Sequence, residues 1–255
     1  MVSEASRASE SNAKSKPTES FLATVGSKDA KWEDMYQRGV SASAPAEQQF
    51  AALKVLEVCA PPLLNVPYAE LPGAPEDLIA TVSSARKMIE ARCAVIWKEG
   101  ADRVRRDWMN LKSRVEASPL SPQHVAFTRR ASPKKIGEAA DRMQALFSRY
   151  GAAALYWVGP EFGHYLEVSS GPLAQRVRTL DPDGKVLYPA IGIATCQASG
   201  ICGVDGLPYL AACASAGSCG AQDLGVTSSM SGIEVEHATA MANWIAEAIQ
   251  SNSWR

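Results

Sequence analysis

The loss of helical period at Gly151 constrains this chain more than any other feature. Upstream of it, Ser132 and Pro133 make an N-cap and first-turn pair. Ile136, Ala139, Ala140, Met143, Leu146 and Phe147 then repeat at helical spacing until the glycine ends the pattern. Downstream, residues 152–158, 164–169 and 176–180 are short runs of β-type residues, and Asp181-Pro182-Asp183-Gly184 is a strong turn signal before another such run at 185–194. A helical body followed by antiparallel strands predicts an α+β fold.

Earlier segments supply the helical half. Residues 46–60 carry Phe50, Leu53, Val55, Leu56 and Val58 and read as a helix closed by Pro61 and Pro62. After Pro75, Glu76 and Asp77, a helix-start cluster, Leu78, Val82, Ala85, Ile89, Cys93 and Ile96 fall on one face of a long helix. The pattern continues through Trp108 to Val115, either in the same helix or in a second one after Gly100. A Pro-rich segment at 118–133 breaks it. Near the end, residues 236–250 present Ala240, Trp244, Ile245 and Ala248 on one helical face. Residues 1–45, rich in Ser, Ala, Lys and Glu, read as a mostly disordered leader. The expectation is a single domain over 46–255, with a helical half at about 46–150 packed on an antiparallel sheet at about 151–255.

With 26 basic and 27 acidic side chains, the chain carries no global field that would draw it onto nucleic acid or anionic lipid. No apolar run approaches the roughly 20 residues that cross a bilayer, and the first twenty residues lack the hydrophobic stretch of a secretory signal. Among six cysteines, Cys59 and Cys93 sit in apolar surroundings like buried thiols. Cys196, Cys202, Cys213 and Cys219 form two pairs in a Gly, Ala and Ser-rich stretch, open to two local bridges, a metal site or reduced thiols. Their spacing is wider than the two to four residues usual between zinc ligands.

In the expected meander, His164 at the start of one strand comes near Asp181 at the end of another. A carboxylate beside an imidazole fixes its tautomer, and the imidazole can then relay a proton from a thiol to a leaving group. The whole segment resembles the histidine half of papain-like cysteine peptidases, particularly the branch of staphopains, bacteriocin-processing peptidases and type III effector proteases. The parts that carry the resemblance are the helix into Gly151, the apolar run at 152–158, His164 with its following run to Gly171, and Asp181-Pro182. Val66-Pro67-Tyr68 is similar to the loop before that family's nucleophile helix. Aligning on Met88 puts Thr81 where the cysteine should stand, with no Gln in the preceding loop.

The resemblance implies a papain-like fold, with His164 and Asp181 as catalytic residues of a thiol hydrolase that acts on a protein or peptide substrate without cofactor or metal. It leaves open a non-catalytic relative, a nucleophile exchanged at Ala80, and a permuted arrangement using Cys213 or Cys219. The Ser-rich head is similar to the signal regions of secreted bacterial effectors, which implies synthesis in the cytoplasm and delivery to a host cell as a virulence factor without a cleaved signal. Two further readings stand beside the hydrolase: a binding or adaptor protein directed at a host protein, and a small metal-binding interaction protein built on the clustered cysteines.

Overall fold

A computed structural model describes residues 21–64, 68, 70–128, 130–203, 205–217, 219 and 230–255. Among them the chain forms eleven α-helices: α1 (Phe21–Gly26), α2 (Trp32–Gly39), α3 (Ala46–Leu63), α4 (Glu76–Trp97), α5 (Ala101–Ala117), α6 (Pro133–Tyr150), α7 (Leu155–Val168), α8 (Pro172–Leu180), α9 (Leu187–Ser199), α10 (Leu207–Ala216) and α11 (Gly232–Gln250). Short 3₁₀ turns at Pro122–His124 and Gly151–Ala154 complete the order. No strand occurs among the described residues. The fold is all-α, which corrects the α+β expectation and removes the antiparallel sheet that a papain-like fold requires.

The helical half runs close to expectation. Gly100, at φ 86°, separates α4 from α5, so the pattern that reaches Val115 is two helices. Ser132 caps α6 by accepting from the backbone N–H of Lys135, and Gly151 at φ 60° ends it. Pro61 and Pro62 lie inside the last turn of α3 instead of beyond it.

The chain departs from the expected strands at Gly151. The run that reads as a strand from 152 becomes the 3₁₀ turn followed by α7, and the runs expected at 176–180 and 185–194 fall in α8 and α9. A short apolar run cannot be told from a buried helix by periodicity alone. α7 packs against α6, α8 and α9, so it is apolar on several faces and its helical period is masked. Gly159 and Gly163 form the contact with α9: a Cβ at Gly159 would stand 2.9 Å from Ile191 Cγ2, and one at Gly163 would stand 2.8 Å from Tyr188 Cε1. Two glycines four residues apart thus let the helices approach closely, where the sequence reads as breaks. The Asp181–Gly184 turn does form, with the Gly184 N–H donating to the Asp181 carbonyl, but it joins two helices.

The second half of the expected leader is structured. Within α2, Trp32 and Tyr36 are buried, and the Tyr36 hydroxyl donates to Asp107 Oδ2 at 2.6 Å. Arg92 lies over the Trp32 ring and donates to the carbonyls of Lys28 and Asp205, tying this segment to α4 and to the loop before α10. Two large rings at one helical spacing bury enough surface to order a stretch whose average composition is polar. Residues 1–20 lie outside the described residues. One continuous apolar core runs from Val25 through all the larger helices to Trp254.

All six cysteines are paired. Cys59–Cys93 joins α3 to α4 with Cα atoms 5.4 Å apart, which corrects the reading of two buried thiols. Cys196–Cys202 and Cys213–Cys219 close the C-terminal ends of α9 and α10, so of the three states open to the clustered cysteines the two local bridges are found. Both bridges span the same local pattern, CQASGIC and CASAGSC. In each, the fifth residue is a left-handed glycine, Gly200 at φ 64° and Gly217 at φ 69°, whose N–H donates to the carbonyl of the first cysteine. The glycine reverses the chain at the helix end and returns the second sulfur to the first.

Candidate functional site

The two residues expected to share a catalytic role are engaged apart. Asp181 is buried between α8 and α9, where Oδ1 accepts from the backbone N–H of Lys185 at 2.9 Å and Oδ2 accepts from those of Val186 at 2.7 Å and Leu187 at 2.9 Å. It supplies hydrogen bonds that the entry into α9 would otherwise lack. His164 lies in mid-α7 with Nδ1 3.4 Å from Glu167 Oε2, not at a strand start. Thr81, at the expected nucleophile position, is exposed on α4 and donates its hydroxyl to the Asp77 carbonyl. Ala80 is equally exposed. With Cys59, Cys93, Cys213 and Cys219 all in disulfides, no cysteine is a free thiol.

What His164 does assemble is a different group. Phe127, from the segment before α6, stacks on its imidazole with ring centroids 5.0 Å apart and planes at 30°. Glu167, one turn on, accepts from the Tyr188 hydroxyl of α9 at 3.2 Å through its other oxygen. Glu161, one turn back, is half-buried, and its Oε2 meets no hydrogen-bond donor among the described residues. Burial pushes the Glu161 carboxyl above the usual carboxylate range, while its own backbone N–H and the nearby His164 pull it part of the way back.

The Glu161 shift has a testable sign. Folding raises this pKa, so ionised Glu161 costs stability above the folded value and costs nothing below the unfolded value of about 4.3. Replacing Glu161→Gln is expected to raise Tm at pH 7, with the gain fading as the pH is lowered to about 4. Thermal melts of both proteins at the two pH values check this; a gain that is equal at both would contradict it.

Two cavities adjoin the cluster. One, of about 530 Å³, includes Phe127 in its wall together with His124, Arg130, Lys135, Glu138 and Arg142. The other, of about 480 Å³, includes Glu167 with Arg178, Asp181, Asp183 and Leu187. His164 therefore touches a side chain of each wall, Phe127 by stacking and Glu167 through Nδ1. The charged side chains lining the first concavity are mainly basic and those lining the second mainly acidic, and neither contains a free thiol. Among the described residues no three His, Cys, Asp or Glu side chains stand where they could hold a metal ion, and the paired cysteines supply no thiolate ligands.

Phe127, Glu161, Glu167 and Tyr188 escape the sequence reading. A signal was present: Glu161, His164 and Glu167 fall at i, i+3 and i+6, one face of a helix. Read as strands, those positions have no common face. No protein-family model, curated protein or solved structure matches the chain.

Proposed function

We propose that this protein is a non-enzymatic binding protein that works in an oxidising compartment and recognises its ligand at the cavity whose wall includes Phe127, the ring stacked on His164. The observation that carries the reading is the pairing of all six cysteines. Disulfides persist where thiol reductants are absent, and a thiol hydrolase needs a free thiolate. Engagement of Asp181 by backbone amides further weakens a hydrolytic reading, because it takes the carboxylate that would orient an imidazole. The protease reading came from the resemblance to papain-like peptidases and loses its basis with the sheet, while the effector and virulence reading came from the Ser-rich head and nothing in the fold supports it.

The test is chemical. Native protein made in an oxidising compartment is incubated with iodoacetamide, and its hydrolysis of casein and of p-nitrophenyl acetate is followed beside that of His164→Ala. The expected result is no labelling and no turnover above the variant. Labelling of a cysteine, or turnover that His164→Ala abolishes, overturns the reading.

A further inference from the structure

We infer that the basic cavity beside Phe127 binds a phosphate monoester, held by Arg130, Lys135 and Arg142. This rests on the binding reading above and names the chemistry of its ligand. The chain as a whole is nearly neutral, with a formal net charge of −1, so three cations in the wall of one cavity are a local concentration of charge and not a reflection of composition. Lys135, Glu138 and Arg142 stand at i, i+3 and i+7 on one face of α6, and Arg130 comes from the segment that leads into it.

Among the described residues Glu138 is the one carboxylate in that wall. Three cations against one carboxylate leave a surplus of two positive charges. A phosphate monoester carries about −1.5 to −2 near pH 7, so it matches that surplus where a single carboxylate would leave half of it unanswered. None of the three cations forms an ion pair with another described residue. The guanidinium of Arg142 is oriented by donating to the His124 carbonyl, which fixes one Nη group and leaves others for a ligand. A concave wall concentrates the field of such charges beyond what the same residues produce on a flat surface.

The same wall contains Phe127, whose ring is held by the stack on His164. A phosphate at the cations leaves the organic part of an ester free to lie against this ring. An aromatic ester is therefore expected to bind more tightly than inorganic phosphate, since ring contacts add to the charge-assisted hydrogen bonds.

The full-length oxidised protein is titrated with phenyl phosphate, inorganic phosphate and phenol by isothermal calorimetry at low and at physiological ionic strength. Expected are saturable binding of phenyl phosphate at about 1 mM or tighter, weaker binding of inorganic phosphate, none of phenol, and weakening with salt. Lys135→Gln, a change at an exposed side chain, should weaken phenyl phosphate at least about tenfold while leaving Tm unchanged, the loss expected for one charge-assisted contact. Phe127→Leu should weaken phenyl phosphate and leave inorganic phosphate as it was. Co-sedimentation with phosphatidylcholine vesicles containing phosphatidic acid, lost in Lys135→Gln, would support the same chemistry with a lipid headgroup as its source.

No saturable binding of phenyl phosphate at about 10 mM, or binding that Lys135→Gln leaves intact, overturns the inference. Neither result touches the binding reading, which falls on cysteine labelling or His164-dependent turnover.

Discussion

Replacing Cys59 and Cys93 together by Ala should lower the unfolding free energy of the oxidised protein by about 4 kcal/mol, the largest loss expected from any one bridge here. The two residues are separated by 34 positions, and the bond ties α3 to α4 inside the core, where both cysteines are fully buried. Closing a loop of that length removes far more freedom from the unfolded chain than closing the six-residue separations of Cys196–Cys202 and Cys213–Cys219, for which about 2 kcal/mol each is expected. Urea unfolding of the oxidised double variant against the parent measures the difference. A loss below about 1 kcal/mol would mean that packing between α3 and α4 already confines the unfolded chain.

A comparable loss is expected at the other end of the core. Trp254→Ala should cost about 3–5 kcal/mol, the range for truncating a buried large aromatic. The Trp254 side chain is fully buried, with ring centroids 5.4 Å from Phe147, 5.5 Å from Phe162 and 5.2 Å from Tyr165. These are edge-to-face geometries, which add to the area term. Its indole N–H donates to Gln144 Oε1 at 3.0 Å, so truncation also strips an acceptor on α6 of its partner. Because Phe147 lies on α6 while Phe162 and Tyr165 lie on α7, the cavity left behind would loosen the pair of helices that carries Lys135, Arg142 and His164. Calorimetric Tm and the urea midpoint should fall together. Replacement by Phe, which keeps a ring but not the N–H, should recover most of the loss.

Neither Trp254 nor Trp32 announces itself in the sequence. Each sits in a stretch dominated by Ser, Asn, Lys or Asp, and each is buried because other helices bring rings or an arginine to it across the fold. By contrast, α4 and α6 were legible because their apolar residues recur on one face and because Pro75 with Glu76 and Ser132 with Pro133 mark their starts. The last helix was legible too, although the Ser231 and Glu234 capping box begins it at Gly232, four residues before the expected start. Residues 152–194 misled because their helices bury several faces and contain Gly159, Pro160 and Gly163, each a breaker when read locally.

The site shows the same division. His164 was read as a catalytic imidazole oriented by Asp181, whereas the structure sets it beside Phe127 and Glu167 and gives Asp181 to backbone N–H groups. Asp181 belongs to a turn, and a turn carboxylate that caps the next helix is indistinguishable in sequence from one that orients an imidazole. The true neighbours come from three places: Glu161 and Glu167 from the same helix, Phe127 from a Pro-rich segment, and Tyr188 from the next helix but one. Only the first two could have been found without the fold, and only by anyone who read α7 as a helix.

All six cysteines are paired in disulfides, and the binding role proposed above rests on that pairing. Protein produced in an oxidising compartment is unfolded in guanidinium with excess iodoacetamide and no reductant, then weighed intact. Three disulfides predict an unmodified chain lighter than the fully reduced sequence by six hydrogens. A mass increased by one or more carbamidomethyl groups would contradict the account, because it would reveal a thiol in the native protein.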